Sequence, residues 1–341
     1  MGALLELEHL SVSFDTPKGE VQAVRDVSLT VQEGEILALV GESGCGKTVM
    51  SQSVLKLLPE NSRIKSGKIL IDGTDITDYK EKDMRNLRGT TLSMVFQDPM
   101  TTLNPTIPVG KQIMEAVLKH ERVSREEAKK RAIEMLDLVG IEDAEHRYML
   151  QPHYFSGGMR QRCVLAIALA LKPRLLFADE PTTALDVTVQ AKILDLLIEL
   201  KNKLGLSIVF ISHDLGVVAK IADRVAVMYA GKLVEVGRAE EIFYDPRHPY
   251  TWGLLSALPS LAKKGEGLKS IPGMPPILLN PPKGDAFAVR NEFALAIDYE
   301  EMPPMFQVSP THSAATWLLD KRAPKVQPPQ IFRKERVANE R

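Results

Sequence analysis

Apolar and polar residues follow two periodicities along this chain, and together they predict alternating strands and helices. Alternating or β-branched segments predict strands at 4–14, 21–31, 35–40, 68–71, 92–96, 175–178, 207–211 and 224–228. Helical patterns fall between several of these strands. Such alternation is typical of an α/β fold with a mainly parallel core sheet.

Two segments depart from this alternation. Residues 108–150 show no strand pattern, but their apolar residues recur at helical spacing, as in Ile113 and Val117. They predict an inserted helical lobe. After Pro259 the sequence turns to proline and glycine clusters, which indicate an appended and partly irregular tail.

Composition narrows the class of protein. Of the 341 residues, 44% are hydrophobic and 26% are charged, and the 43 basic side chains nearly cancel the 44 acidic ones. Because basic residues are not in excess, the composition gives no support for a nucleic-acid-binding protein.

The sequence also predicts neither a membrane-spanning helix nor a secretory signal. The longest apolar runs, such as 163–171, are about half as long as a membrane-spanning helix, and we expect no secretory signal at the N-terminus. With only Cys45 and Cys163, no disulfide framework is expected, which favours the cytosol.

A phosphate-binding loop is the first segment with recognisable chemistry. Residues 41–48 read GESGCGKT and match G-x-x-x-x-G-K-[ST] between a predicted strand and a helix that begins at about Lys47. The backbone N–H groups of such a loop close around phosphate oxygens, Lys47 would meet the β- and γ-phosphates, and the Thr48 hydroxyl would bind Mg²⁺. The candidate nucleotide-binding residues here are Gly41, Glu42, Ser43, Gly44, Cys45, Gly46, Lys47 and Thr48. A kinase or GTPase could carry the same loop.

A second segment shows which class of P-loop enzyme the chain resembles. Residues 155–162 read FSGGMRQR and precede an apolar helix and then LLFADEPTTALD. Together these segments resemble the ATP-binding-cassette (ABC) ATPases, and they argue against a kinase or GTPase. Ser156, Gly157 and Gly158 match the S-G-G signature of that family, with Met159 where many members carry glutamine. The resemblance implies that this signature contacts the γ-phosphate of ATP bound on an opposite subunit.

The same resemblance assigns roles to five further residues. Asp179 matches the Walker B aspartate that holds Mg²⁺, and Glu180 matches the general base for the attacking water. Gln97 matches the Q-loop, which senses Mg²⁺ and that water. Asp186 resembles the D-loop, and His213 resembles the switch histidine that contacts the γ-phosphate. The implied metal ligands are therefore Thr48, Gln97 and Asp179, all for Mg²⁺.

The position of Phe14 at the end of the first strand resembles the place where the family stacks an aromatic ring on adenine, although ordinary core packing is the alternative. The resemblance covers residues 1 to about 320. It implies an ABC nucleotide-binding domain at 1–259 with an antiparallel β subdomain, a helical subdomain inserted at about 98–165, and a proline-rich extension at 260–341.

Within the family, the chain is most similar to ATP-binding subunits of oligopeptide and dipeptide (peptide/nickel) importers, through VFQDPMTTLNP, HPYT at 248–251 and IPGMPP. Relatives often hold an iron–sulfur cluster in the tail, but their cysteine positions fall here on Asp285, Asn291 and Asp298. Four thiolates are the usual requirement, so we expect no cluster and solvated loop positions instead. The tail would then be held by apolar packing of Ile271, Met274, Phe287, Phe293 and Phe306.

These features predict an ATPase subunit of a peptide importer that uses ATP and Mg²⁺. The resemblance implies a second, paralogous ABC subunit, two membrane permease subunits and an extracytoplasmic peptide-binding protein as partners, at the cytoplasmic face of the membrane. Nickel complexes, glutathione or murein peptides are alternative cargoes. A soluble ABC ATPase acting on DNA or ribosomes is another alternative, but the chain has one cassette and no sustained heptad run.

Overall fold

The computed structural model describes residues 2–183, 185–258 and 271–329. The chain divides into two compact units. The first unit contains the residues before Leu5 together with Val31–Glu35 and Ile76–Ile211. The second contains Leu5–Thr30, Ile36–Asp75 and the described residues from Ser212 onward.

The strands, in chain order, are β1 (Ala3–Thr16), β2 (Gly19–Gln32), β3 (Ile36–Val40), β4 (Ser62–Ile71), β5 (Thr74–Asp75), β6 (Leu92–Val95), β7 (Leu175–Asp179), β8 (Ser207–Ser212), β9 (Arg224–Tyr229), β10 (Lys232–Arg238), β11 (Phe306–Gln307) and β12 (Ser313–Ala314). The helices are α1 (Lys47–Leu55), α2 (Glu81–Leu87), α3 (Pro99–Thr102), α4 (Val109–His120), α5 (Arg125–Leu138), α6 (Ala144–Arg147), α7 (Gly157–Leu169), α8 (Val187–Leu204), α9 (Leu215–Ile221), α10 (Ala239–Tyr244) and α11 (Pro249–Ser256).

The first unit combines parallel strands with a helical segment. Strands β6, β7 and β8 pair in parallel, with Leu92 opposite Leu175 and Leu175 opposite Ser207. Every residue of β7 is buried, as expected for a parallel strand covered on both faces. Helix α7 packs against α3, α4 and α5 as well as β6 and α8, so the signature segment is supported from several sides.

The second unit contains an antiparallel sheet in the order β2-β1-β4-β5. In the same unit, β3 and β9 pair in parallel, whereas β10 pairs antiparallel with β9 and with β12. Helix α9 packs on β3. The parallel pairings and the antiparallel sheet confirm the predicted α/β class, its mainly parallel core and its antiparallel part.

The predicted strands are all present, with shifted ends. The segment expected at 68–71 is the end of a longer strand, β4, whose first half alternates between half-buried and exposed residues and so lacks the apolar signal. Residues 108–150 contain α4, α5 and α6 and no strand, as predicted. No helix within the described residues combines the length and the apolar character needed to span a membrane. The boundary placed at 259/260 lies outside the described residues.

Residues 271–329 of the extension are largely irregular, and backbone hydrogen bonds tie them to the strands β2 and β10 of the same unit. The Gln22 N–H donates to the Leu278 carbonyl at 2.9 Å, and the Ala315 N–H donates to the Val234 carbonyl at 2.7 Å. Strand β12 adds to β10, with Ala314 opposite Glu235. The expectation of a partly irregular tail is therefore confirmed.

Apolar packing of the extension is only partly as expected. Phe287 is buried and lies edge-on to Tyr229, and Phe293 lies edge-on to Trp252, with ring centroids 5.3 and 5.5 Å apart. The expectation for Met274 is wrong, because this residue is 87% exposed. Apolar character alone does not reveal which tail residues face the protein.

The expectation that Asp285 and Asp298 are solvated is also wrong. Both side chains are buried, and each carboxylate closes a tight turn by accepting a backbone N–H, from Phe287 at 2.9 Å and from Leu295 at 2.6 Å. Asn291, which is half-buried, accepts the Phe293 N–H at 3.0 Å in the same way. Asp285 and Asn291 bond the backbone two residues on, a pattern that favours short polar side chains in turns, whereas Asp298 bonds the backbone three residues before it. The oxygens at these positions therefore stabilise the extension internally.

Burial has a consequence for stability. It raises the pKa of Asp285 from 3.8 to about 6, with a further contribution from the Asp298 carboxylate. Because the pKa of Asp285 is higher in the folded state than in the unfolded state, its protonation stabilises the folded protein. This contribution to the free energy of unfolding is lost as the pH rises from about 4 through about 6. We expect Asp285→Asn, which can still accept the Phe287 N–H, to unfold like wild type near pH 4 but to be more stable at pH 8, by at most about 3 kcal/mol. Urea unfolding at several pH values measures this difference, and a gap that does not widen with pH would contradict the assignment.

Candidate functional site

The phosphate-binding loop lies in the second unit, between β3 and α1. Gly46 caps α1 with a φ of 107°, a conformation that glycine adopts readily. A Cβ atom at this position would lie 2.4 Å from the Ala23 carbonyl oxygen, so no larger residue fits without a shift of the backbone. Helix α1 begins at Lys47, as predicted, and its N-terminus opens towards the loop.

Lys47 bridges the loop from inside. Its Nζ donates to the carbonyls of Gly41 and Glu42 at 2.7 and 2.9 Å, and its side chain is almost fully buried. Thr48 is exposed. Cys45 is buried, and burial raises the pKa of its thiol, which agrees with a space-filling role.

Two residues of the second unit hold the loop from outside, and sequence reasoning did not identify them as functional. The Tyr250 hydroxyl accepts the Glu42 N–H, and Arg290 pairs with the Glu42 carboxylate. Tyr250 lies within the HPYT segment, which the sequence analysis singled out. That segment did not reveal which contact Tyr250 makes. Arg290 carries no local signal.

Phe14 and His213 also belong to the second unit. Phe14 is half-buried near the end of β1, where it lies opposite Ser62 of β4. His213 is exposed and directly follows β8. The next residue, Asp214, caps α9 by accepting the Gly216 N–H at 2.8 Å, so the His213 backbone is held between a strand end and a helix start.

The two adjacent carboxylates of the first unit occupy different environments. Asp179 ends β7 and is buried, whereas Glu180 is half-buried. Glu180 has a φ of 46°, which is uncommon for a residue other than glycine, and its N–H donates to the Ile211 carbonyl at 3.0 Å. Backbone strain of this kind concentrates at functional positions.

Gln97 and Thr183 both donate to the Glu180 carboxylate. Its Oε2 accepts the Gln97 Nε2–H at 3.0 Å and the Thr183 hydroxyl at 2.9 Å. The structure thus brings together two residues singled out from the sequence and adds Thr183, which sequence reasoning missed although it lies in the same EPTT run. A carboxylate oriented in this way can accept a proton from a water molecule within hydrogen-bond reach.

The signature lies at the start of α7 in the first unit. Ser156 caps the helix by accepting the Met159 N–H at 3.4 Å. Gly158 lies against α8, because a Cβ atom there would be 2.4 Å from a methyl carbon of Val189. Ser156 is exposed and lies at the N-terminus of α7, where the helix dipole favours an anion.

The surface around the signature is concave and carries more basic than acidic side chains. Its lining includes Ser156, Gly158, Met159, Arg147, Arg162 and Lys192. Glu142 is the acidic residue of this lining. Such a charge balance favours a phosphate group.

Asp186 begins the next helix. Its Oδ1 accepts the N–H groups of Thr188 and Val189 at 3.1 and 3.0 Å, so it caps α8. The cap fixes the start of α8.

The residues implied as Mg²⁺ ligands supply a hydroxyl, an amide oxygen and a carboxylate, from Thr48, Gln97 and Asp179. These are hard oxygen donors, which Mg²⁺ prefers, and a single carboxylate together with substrate phosphates is a usual way to hold this ion. Thr48 belongs to the second unit, and Gln97 and Asp179 belong to the first. The chemistry of each of these donors therefore fits the ion.

Comparisons with known proteins agree with this chemistry. The ABC transporter family profile matches residues 24–183, and the profile of the oligopeptide/dipeptide transporter C-terminal region matches residues 234–297. The oligopeptide transport ATP-binding protein OppD of Bacillus subtilis is 59% identical over 332 residues, which is 97% of this chain and 93% of that protein. The dipeptide transport ATP-binding protein DppD of Lactococcus lactis is 56% identical over 326 residues, 95% of this chain and 93% of that protein.

Among solved structures, a dimeric ATP-binding cassette in a post-hydrolysis state with bound ADP and Pi superposes with a TM-score of 0.61 at 27% identity. The match covers 69% of this chain and 98% of that one. The cassette CbiO1 of Clostridium perfringens, part of a CbiONQ transporter complex, gives a TM-score of 0.63 at 29% identity over 72% of this chain and 92% of that one.

Proposed function

This chain belongs to the family of ABC transporter ATP-binding proteins for oligopeptides and dipeptides, and we propose that its ATP hydrolysis powers the import of short peptides. The observation that carries the proposal is the similarity across 97% of the chain, which includes the C-terminal region as well as the cassette. The Glu180 carboxylate, oriented by Gln97 and Thr183, supports the hydrolytic part.

We assign the P-loop, residues 41–48, to the phosphates of ATP and Phe14 to the adenine ring. Lys47 would exchange its bonds to the loop carbonyls for phosphate oxygens, which its flexible side chain allows. Bound Mg²⁺ supplies charge neutralisation at the β- and γ-phosphates, and Thr48, Gln97 and Asp179 would hold it.

We assign the proton transfer to Glu180. Its carboxylate accepts a proton from the attacking water while Gln97 keeps Oε2 oriented. His213 would contact the γ-phosphate from its position after β8. Asp186, the D-loop residue, would transmit changes at the ATP site across the subunit interface. The exposed position of His213 supports this role.

The signature residues Ser156, Gly157, Gly158 and Met159 are assigned to ATP bound on a second ABC subunit, which we propose is a paralogue. The capped start of α7 and the basic lining around it support this assignment. Two membrane permease subunits and an extracytoplasmic peptide-binding protein complete the proposed complex, with this chain peripheral at the cytoplasmic face. Nucleic acid is not among the proposed partners.

Isolation of the tagged chain from native membranes tests the proposal. We expect two integral membrane subunits and a second ABC subunit to co-purify, and peptide with its binding protein to stimulate ATP hydrolysis in the reconstituted complex. A Glu180→Gln complex is the control for ATPase from other proteins. Stimulation of ATP hydrolysis by nickel complexes, glutathione or murein peptides but not by short peptides would contradict short peptides as the cargo. Co-purification with ribosomes or DNA in place of membrane subunits would contradict the transport role.

We also predict that the protein holds no iron–sulfur cluster. The chain has two cysteines, Cys45 and Cys163, and four thiolates are the usual ligand set. Burial raises the pKa of Cys163 to about 12, which disfavours the thiolate that binds iron. Anaerobically purified protein is expected to be colourless, and a measurement of about four irons with labile sulfide per chain would contradict the prediction.

A further inference from the structure

Glu42, the second residue of the P-loop, is bound by an arginine from the C-terminal extension. Arg290 Nη1 lies 2.6 Å from Glu42 Oε2, and Nη2 lies 2.9 Å from Oε1. The two groups form a bidentate pair, which is the strongest arrangement of guanidinium and carboxylate and the most demanding in geometry. The extension thus reaches the loop that holds the phosphates.

Arg290 is itself rigidly placed. Its side chain is 3% exposed, Nε donates to the Pro272 carbonyl at 2.7 Å, and Nη1 also donates to the Tyr229 hydroxyl at 3.2 Å. The guanidinium lies over the Tyr229 ring, with 5.7 Å to the centroid. These contacts fix the direction of the fork, so Arg290 sets the position of the Glu42 carboxylate.

The backbone of Glu42 is fixed as well. Its N–H donates to the Tyr250 hydroxyl at 2.8 Å, and its carbonyl accepts from Lys47 Nζ at 2.9 Å. Tyr250 is fully buried and packs against Tyr229 and Phe287, with centroids 4.6 and 5.3 Å away. Glu42 is therefore held at its N–H, its carbonyl and its side chain.

We propose that Arg290 is a positioning residue for nucleotide binding, because it fixes the first turn of the P-loop through Glu42 and neutralises a carboxylate that would otherwise repel ATP phosphates. A negative side chain in a phosphate-binding loop opposes an anionic ligand unless a cation compensates it. The inference goes beyond peptide import, since it concerns how the chain holds its own P-loop whatever the cargo.

A second buried pair in the extension provides a matched control. His312 Nε2 lies 2.7 Å from Glu235 Oε1, and both side chains are almost fully buried. This pair also ties the extension to the rest of the second unit, but through β10 and not through the P-loop. If Arg290 served only to hold the extension in place, loss of either pair would affect ATP binding equally.

The test is calorimetric titration of the purified full-length chain with ATP and Mg²⁺, which needs neither partners nor hydrolysis. We expect Arg290→Met to raise the Kd for ATP at least tenfold and His312→Asn to leave it within twofold of wild type, even where both lower the melting temperature. Adding Glu42→Gln to Arg290→Met removes the uncompensated charge and is expected to restore affinity at least threefold. Circular dichroism verifies that each variant is folded.

Tyr250→Phe provides a second measurement should Arg290→Met fail to fold, because it removes only the hydroxyl that accepts the Glu42 N–H. We expect it to weaken ATP binding about threefold. The proposal is overturned if folded Arg290→Met binds ATP within twofold of wild type, or if His312→Asn weakens ATP binding as much as Arg290→Met does. Where Arg290→Met cannot be obtained in folded form, wild-type ATP affinity of Tyr250→Phe overturns it. Failure of the wild-type chain to bind ATP would instead overturn the assignment of the P-loop to ATP.

Discussion

Replacing Glu180 by glutamine is expected to lower the steady-state ATPase rate of the assembled transporter by at least about a hundredfold, while ATP still binds. The amide oxygen of glutamine can accept the hydrogen bonds of Gln97 and Thr183, so the local geometry is retained. It cannot accept a proton from water at neutral pH. The loss therefore falls on the chemical step, and about a hundredfold corresponds to roughly 2.7 kcal/mol of transition-state stabilisation.

The rate is measured by phosphate release at saturating ATP, and binding is measured by titration of the same preparation. Glu199→Gln is the matched control, because Glu199 lies on α8 in the same unit and pairs with Lys203 at a largely exposed surface. We expect this control to keep the wild-type rate, since exposed pairs contribute little. A Glu180→Gln rate above about a tenth of wild type, a loss of less than about 1.4 kcal/mol, would contradict the role of the carboxylate.

A second large effect is expected for Ser156→Arg. The arginine would place a bulky charged group at the start of α7, where the signature is proposed to meet ATP on the second subunit. We expect ATPase activity of the assembled transporter to fall below about a tenth of wild type, which is a barrier increase above roughly 1.4 kcal/mol. ATP binding to the P-loop of the isolated chain should be unchanged, because that loop and the signature would serve different nucleotides.

Ser124→Arg is the matched control for this experiment. Ser124 is also an exposed serine that caps a helix of the first unit, since it accepts the Glu127 N–H at the start of α5. Both substitutions remove one helix cap, which costs about 1 kcal/mol of stability. A loss of activity as large for Ser124→Arg, or a loss of ATP binding by the isolated Ser156→Arg chain, would argue against a role in the partner site.

Features with a local signal were predictable from the sequence. The start of α1 at Lys47 followed from the loop between strand and helix, and the end of β7 followed from an apolar run that stops at two carboxylates. The family resemblance assigned both Gln97 and Glu180 to the attacking water, and the structure places their side chains within hydrogen-bond distance of each other. In each case the residues lie at the ends of elements whose periodicity is strong.

Features that depend on distant packing were not predictable. Arg290 and Glu42 are 248 positions apart, and neither position has a pattern that points to the other. Asp285 and Asp298 were expected in solvent because composition marks their region as loop, but their carboxylates are used to close turns inside it. Met274 shows the reverse error, since an apolar side chain in an irregular segment can lie at the surface.

The pairing of β12 with β10 has a further consequence for the behaviour of the chain in solution. Strand β10 pairs with β9 on one side, and the short β12 lies against Glu235 and Val236 on the other. A strand with unpaired N–H and C=O groups along one side is a template for pairing with other chains. A chain shortened before Phe306 would lose β11 and β12 and leave that side of β10 bare. We therefore expect a chain shortened in this way to self-associate more readily than the full-length chain, whether or not ATP is bound.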